Sequence, residues 1–356
     1  MGYLSEHENS VNKLKNCNFT FKNLIQKYSH PIRNTVDSDR LPNGLTFVLS
    51  SFDHNFVHFP ESMSTGQSSI YVLDLNYLYE PIRVEIVNHQ YQLITEQFNL
   101  VCLSVYQDKK RNFNLIAGNY ITEKRKEKFG LKRSGYSIEK FVYDSQKYSL
   151  IHEETFVNDQ ILAGLCDLVV VGEDQLYFSK CFSSPVFKSL KFNLAIGDGQ
   201  IWFMNMAKKT LFLAADNLFI PKSIEYLDSE NLIVVSNHQN QGISLFNREH
   251  DDSLSRKFDI NLKSFVFNIN KDSYDNLWIS LHSFLYQTLS TDSGHLTENK
   301  LIKLKLDLKH SQHINHENEV FFSNNGSYLN GLGSVQIFKD NLILFSLDSD
   351  PLVCKI

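Results

Sequence analysis

Apolar runs of four to six residues recur along the chain, each closed off by a polar turn. Residues 45–49, 70–75, 168–171, 232–235 and 342–345 are examples. They have the length of strands, and Val, Ile, Leu, Phe and Tyr dominate them. No well-capped amphipathic pattern runs beyond three helical turns. The pattern predicts an all-β protein made of many short strands.

A local phrase repeats on a longer scale. A polar turn containing Asn, Asp or Gln leads into Leu and then into β-branched or aromatic residues. It stands at Asn43-Gly44-Leu45-Thr46-Phe47, Phe113-Asn114-Leu115-Ile116 and Asp174-Gln175-Leu176-Tyr177-Phe178. It returns at Glu230-Asn231-Leu232-Ile233-Val234, Asp275-Asn276-Leu277-Trp278-Ile279 and Asp340-Asn341-Leu342-Ile343-Leu344. The leucines are about 59 residues apart on average, enough for a four-stranded propeller blade of roughly 40 to 50 residues plus loops. Six copies point to a six-bladed β-propeller spanning 15–356, with residues 1–14 as an N-terminal tail. A propeller must join its first and last blades, and a Cys17–Cys354 disulfide would do so covalently. Its loop of 337 residues corresponds to about 5 kcal/mol as an upper figure in the chain-entropy argument. Such a bond needs an oxidising compartment.

Composition narrows the picture. The chain has 356 residues, beyond the usual size of one core, so it calls for two domains or one modular architecture. Six Ala against 27 Phe and 16 Tyr argue against a helix-rich fold. A net charge of -5 gives no nucleic-acid footprint. No apolar stretch reaches about 18 residues, and the first residues lack the pattern of a signal peptide. Taken alone, this suggests a cytosolic protein or one whose leader was removed. Besides Cys17 and Cys354, the cysteines are Cys102, Cys166 and Cys181, which lie in or beside apolar runs and read as buried free thiols. Asn18 and Asn325 begin sequons and are candidate glycosylation sites.

Several phrases resemble the paraoxonase/arylesterase family. They are Leu41-Pro42-Asn43-Gly44-Leu45 with a nearby Asp, Asp167-Leu168-Val169-Val170-Val171-Gly172, and Asn276-Leu277-Trp278-Ile279. Asn324-Asn325-Gly326-Ser327 and the terminal Leu352-Val353-Cys354-Lys355-Ile356 complete the series, in order over about residues 15–356. The resemblance implies a six-bladed propeller with a cysteine bridge between the chain ends, which supports pairing Cys17 with Cys354. It implies a secretory, extracellular or membrane-associated setting, a cytoplasmic one remaining open, and favours Asn325 as the glycan site. It also implies hydrolysis of lactones and aryl esters, with calcium in a central tunnel and a His pair activating water.

Position by position, that chemistry is depleted. The acidic pair before the first phrase reads Val36-Asp37, and the first His of the pair reads Val101. The second reads Tyr120, after Asn119. The Asn-Asp pair of the third blade reads Cys166-Asp167, and the Asn of the fourth reads Lys222. The fifth-blade pair falls at Lys263-Ser264 or Val266-Phe267, neither of which offers a carboxylate. His282 matches a tunnel-lining His. The tunnel candidates are therefore Asp37, Tyr120, Asp167, Lys222 and His282, with Asp37 and Asp167 the residual calcium positions and no metal site complete. The sharper expectation has the Lys222 ammonium in the cation's place, paired with Asp37; the other has it reaching the tunnel mouth with no partner.

Other signals carry less. His310, His313 and His316 could meet a transition metal, but their polar neighbours suggest an exposed loop. Residues 123–128 form a mixed charge run. Residues 185–192 resemble a lid helix, and Phe187, Leu190 and Leu194 could contact a membrane peripherally or simply cap the propeller. The first reading is a non-catalytic propeller that binds a protein partner or small apolar ligand at the tunnel mouth, or assists membrane-protein assembly, without a cofactor. The alternative is a calcium-dependent arylesterase or lactonase with an altered site.

Overall fold

The computed structural model describes residues 35–50, 68–77, 81–94, 98–121, 135–158, 160–182, 197–282, 299–307, 315–324, 331–346 and 351–355. Within them the chain forms 23 strands and no α-helix, an all-β, propeller-like fold. The strands run as six successive antiparallel meanders. The first holds β1 (Thr35–Arg40), β2 (Leu45–Ser50), β3 (Ser69–Asp74) and β4 (Ile82–Val87). The second holds β5 (Asn99–Gln107), β6 (Phe113–Ile121), β7 (Gly135–Asp144) and β8 (Ser149–Val157). The third holds β9 (Leu165–Gly172), β10 (Gln175–Lys180), β11 (Gly199–Asn205) and β12 (Thr210–Leu218). The fourth holds β13 (Ile224–Leu227), β14 (Leu232–Asn237), β15 (Gly242–Arg248) and β16 (Leu254–Asn261). The fifth holds β17 (Phe265–Lys271), β18 (Leu277–His282), β19 (Asn299–Asp307) and β20 (Asn315–Asn324). The last holds β21 (Leu332–Phe338), β22 (Asn341–Ser346) and β23 (Leu352–Lys355).

Among the described residues the sheets number five, because the first two meanders join into one of eight strands. Residues 85–87 of β4 pair in parallel with residues 149–151 of β8. The sequence phrases correspond to one place in each meander, the hairpin from the first strand to the second. Chain reversal there uses left-handed backbone at Gly44, Arg111, Asp174, Asn231, Asp275 and Lys339. At Gly44, with φ of 93°, a side chain would also meet the Phe338 ring at 2.9 Å.

The leucines and their neighbours explain why the apolar runs are continuous. A second strand is covered on both faces, and alternate residues enter different cores. On β14, Leu232 and Val234 pack with the fifth meander, while Ile233 and Val235 pack with the third. On β22, Leu342 and Leu344 join the fifth meander, and Ile343 and Phe345 join the first. The hydrophobic core is thus divided among the spaces between meanders, and a two-domain division is not needed to bury it.

The first strands surround the axis. β1 neighbours β5 and β21, and β5 then leads round through β9, β13 and β17 back to β21. No ladder joins these strands to one another among the described residues, so inward backbone donors need other acceptors. Side chains supply them in rotation. Leu103 N donates to Asp37 Oδ2 (2.8 Å) and Val105 N to Asp39 Oδ2 (2.7 Å). Val170 N donates to Ser104 Oγ (3.2 Å), and Ile224 N to Asp167 Oδ2 (2.9 Å). Ile269 N donates to Ser223 Oγ (3.0 Å), and Val335 N to Asn270 Oδ1 (3.4 Å). The circuit closes when Gln336 Nε2 donates to Ser38 O at 2.9 Å.

The cysteines require a correction. Cys166 and Cys181 are joined in a disulfide with Cα atoms 5.8 Å apart, rather than being free thiols. Cys166 lies at the start of β9 and Cys181 directly follows β10, so the paired hairpin brings them together across 15 residues. Cys102 is a buried free thiol, as expected. Cys354 is fully buried and disulfide-bonded, and its partner lies outside the described residues, as do Cys17, Asn18, Asn325, residues 123–128, residues 185–194, His310 and His313. His316 lies exposed on β20.

The rotation of acceptors makes a test. Ser223→Ala leaves Ile269 N without its acceptor and is expected to cost about 1–3 kcal/mol in urea unfolding. Ser229→Ala, in an exposed turn, should change stability by less than about 0.5 kcal/mol.

Candidate functional site

Period-two alternation places two polar tiers along the axis. Asp37 and Asp39 project inward from β1, Cys102 and Ser104 from β5, Ser223 and Glu225 at β13, and Asn268 and Asn270 from β17. The first tier gathers Asp37, Asp167 and Lys222, three residues remote in sequence. Asp37 Oδ1 accepts from Ser38 N at 2.8 Å and from Asn268 Nδ2 at 3.3 Å, and Oδ2 from Leu103 N. Asp167 Oδ1 accepts from Leu168 N at 2.8 Å and Oδ2 from Ile224 N. All four carboxylate oxygens are therefore engaged by protein donors.

Burial sets the electrostatics. It pushes the Asp37 carboxyl up to about 7, against the pull of its N–H donors. Burial and then the charge of Asp37 raise Asp167 well above the carboxylate range. Burial lowers the Lys222 ammonium, opposed first by Asp167 and then by Asp37. Lys222 keeps part of its surface exposed, while its Nζ lies 4.8 Å from the Phe267 ring centroid. Cys102, beside these carboxyls, is held as a thiol by burial. Gly118 lets the strands close round it, because a Cβ there would meet Leu165 at 2.5 Å and Cys102 Sγ at 2.7 Å.

Two imidazoles adjoin this tier. His282 stacks on Phe267 at 4.8 Å and bonds Leu332 O through Nε2 at 3.0 Å. His238, from the preceding meander, bonds Val266 O through Nε2 at 2.8 Å. With Nε2 the donor, each Nδ1 is a bare acceptor, and neither has a hydrogen-bond partner among the described residues. Burial depresses both rings to about 4, with Lys222 adding to the effect, so they are neutral at pH 7. Tyr120 is buried near the end of β6. It packs edge-on to Tyr136 at 5.4 Å, within the core that also takes Val36 and Val101.

Sequence reasoning missed Asn268, Ser223, His238, Asp39 and Glu225. The fifth-blade register was one residue short of Asn268, and the alternation Asn268–Asn270 was the available signal. The second tier carries Asp39, raised by burial, and Glu225, pushed up to about 8 by burial against the pull of Lys271. Lys271 in turn bonds Asp228 Oδ2 at 2.6 Å.

A sequence model of the family described as Arylesterase matches residues 13–355. The chain belongs to the arylesterase family. This arylesterase-family chain is 20% identical over 323 residues to serum paraoxonase/arylesterase 2 of Homo sapiens, covering 90% of its own length and 85% of the relative. Among solved structures it is similar to a luciferin-regenerating enzyme, with a TM-score of 0.52, 8% identity and 92% of each chain covered. It is also similar to the aldose sugar dehydrogenase of Streptomyces coelicolor, with a TM-score of 0.51, 13% identity, and 92% and 96% covered. The periplasmic gluconolactonase of Pseudomonas aeruginosa gives 0.50 at 9% identity, with 90% and 80% covered. At such identities the likeness is one of fold and carries no chemistry.

The neutral imidazoles give a pH prediction. A ring whose folded pKa is depressed from 6.5 to about 4 binds fewer protons than the unfolded chain across that interval. Stability then rises with pH from 4 to 6.5, by about 3 kcal/mol for each ring, and is flat above. The raised Asp37 has the opposite sign, lowering stability as pH rises from about 4 to 7. The difference between wild type and His238→Gln or His282→Gln isolates the ring. Urea unfolding at pH 4.5 and pH 7 should show the variant losing less on acidification, and equal losses would contradict the assignment.

Proposed function

We propose that this chain is a six-bladed, non-catalytic member of the arylesterase family, a single-domain propeller that binds a partner or small ligand at the axial mouth. The cyclic order of the six first strands supports the blade count, with the eight-stranded sheet read as two blades fused at their outer edges. One observation carries the functional reading. Both oxygens of Asp37 and of Asp167 already accept protein N–H groups, and the adjoining position holds the Lys222 ammonium.

Calcium needs six to eight oxygen ligands. Here the corresponding positions hold Val36, a disulfide sulfur of Cys166 and a cationic Lys222. That donor set does not fit the ion. Lys222 supplies the positive charge instead, balancing Asp37 and Asp167. The disulfide and the serum relative support a secretory-pathway or extracellular setting, with Asn325 the glycan site and Cys17–Cys354 the ring closure.

A second reading, a calcium-dependent hydrolase with an altered site, draws on Asn268. Its buried Oδ1 has no hydrogen-bond partner among the described residues and lies on the side chain that touches Asp37. Assays of an aryl acetate and a lactone, with and without chelator, separate the two. The first reading predicts background rates in both. Chelator-sensitive turnover abolished in Asp37→Asn would overturn it. Lys222→Met should lose about 3–5 kcal/mol in urea unfolding, because it strands two buried carboxyls; undiminished stability would sink the charge-balancing role.

A further inference from the structure

The fifth meander carries a cavity of about 430 Å³ on its third and fourth strands, outside the ring of first strands. Its walls are Tyr274 and Asn276 from the turn between β17 and β18, Lys303 and Lys305 from β19, and Glu317 and Glu319 from β20. Small-molecule sites usually span about 300–1,000 Å³, so the volume is in range. Strand pairing dictates the floor. Lys303 lies opposite Glu319, and Lys305 opposite Glu317. A column of ammoniums on one strand thus runs beside a column of carboxylates on the next, while Leu304 between the lysines enters the core.

Buried Asp272 organises the turn above that floor. Its Oδ1 accepts from Tyr274 N at 2.9 Å and from Asn276 N at 3.0 Å. Its Oδ2 accepts from Asn276 Nδ2 at 2.9 Å and from Trp278 Nε1 at 3.0 Å. The backbone of Tyr274 is therefore pinned, yet the residue is 85% exposed, more than any other large apolar or aromatic residue among the described residues. An aromatic face held out at the rim of a polar cavity is a surface for a ligand to cover.

We propose that this cavity binds a neutral saccharide, with one sugar ring against Tyr274 and its hydroxyls bridging the lysine and glutamate columns. The charges select that class. Each ammonium of the floor faces a carboxylate, and Lys303 also lies 3.9 Å from Asp272. Neither an anion nor a cation therefore meets an uncompensated partner. A hydroxyl donates and accepts at once, so it gives its proton to a carboxylate and accepts from the adjacent ammonium without upsetting the balance. A carboxylate has about four lone-pair sites and an ammonium several donors, so cross-strand pairing leaves capacity for both. The C–H face of a sugar ring supplies the apolar surface for Tyr274. Neither Asp37 nor Lys222 takes part, so the inference stands or falls apart from the axial reading.

Saturation-transfer NMR on the full chain tests it. The probes are glucose, mannose, galactose, maltose and lactose at millimolar concentration, with acetate, ethylammonium and glycine betaine as charged comparisons. At least one sugar should bind, and Tyr274→Ala should weaken it at least about fivefold, the size of a lost aromatic contact. Lys305→Ala, on the floor, should weaken it as well, while Tyr274→Phe, which keeps the ring, should retain it. Tyr274 and Lys305 are both exposed, so the urea midpoints of these variants should match wild type. The same sugars coupled to a carrier protein, captured on the immobilised chain, distinguish the source. Binding of the coupled form alone assigns a glycan on a partner, and binding of the free form assigns a soluble sugar. No binding of any sugar in either form overturns the inference. So does binding undiminished in Tyr274→Ala or in Lys305→Ala, or stronger binding of a charged probe.

Discussion

The structure depends on how its axial strands satisfy their backbone donors. Strands that converge on one axis without sharing a ladder leave N–H groups facing protein rather than water, and each such group left unmade costs about 1–3 kcal/mol. Here a side chain on each first strand reaches the next strand round: Asp37 and Asp39, Ser104, Asp167, Ser223, Asn270, then Gln336 back to Ser38. The apolar cores between meanders provide the bulk of the burial. The polar circuit fixes how the meanders register against one another at the centre.

That circuit gives Asp37 and Asp167 a structural role as backbone acceptors. Asp37 and Asp167 are needed as acceptors whether or not a metal is present. Val36, Val101 and Tyr120 stand where the family resemblance led one to expect polar chemistry, and they have become part of the core. Lys222 enters a site with two buried carboxyls and opposes their charge. Family membership thus coexists with an axis whose polar groups are largely committed to holding the fold. The Nδ1 atoms of His238 and His282 have no hydrogen-bond partner among the described residues.

Much of the architecture was legible in the sequence. The repeated phrase marks the first hairpin of every meander because the same reversal needs a residue tolerant of left-handed backbone, followed by a leucine for the shared core. The edge fusion of β4 and β8 was not legible, since three residues of parallel pairing leave no local signature. The Cys166–Cys181 bond was missed for a related reason: both cysteines sit beside apolar runs, and only the β9–β10 pairing brings them together. In the site, Asp37, Asp167, Lys222 and His282 could be named from position. Asn268 and Ser223 could not, because a polar residue inside a strand reads the same whether it faces the axis or a neighbouring sheet.

Native-state hydrogen exchange tests the claim that the axial carboxylates are backbone acceptors rather than metal ligands. In Asp167→Ala, the Ile224 and Leu168 amides should lose protection, while Leu103 and Val105, served by Asp37 and Asp39, keep theirs. In the wild-type protein all four should exchange at the same rates with calcium as with chelator. Unchanged protection of Ile224 in the variant, or calcium-dependent protection of these amides in the wild type, would contradict the account.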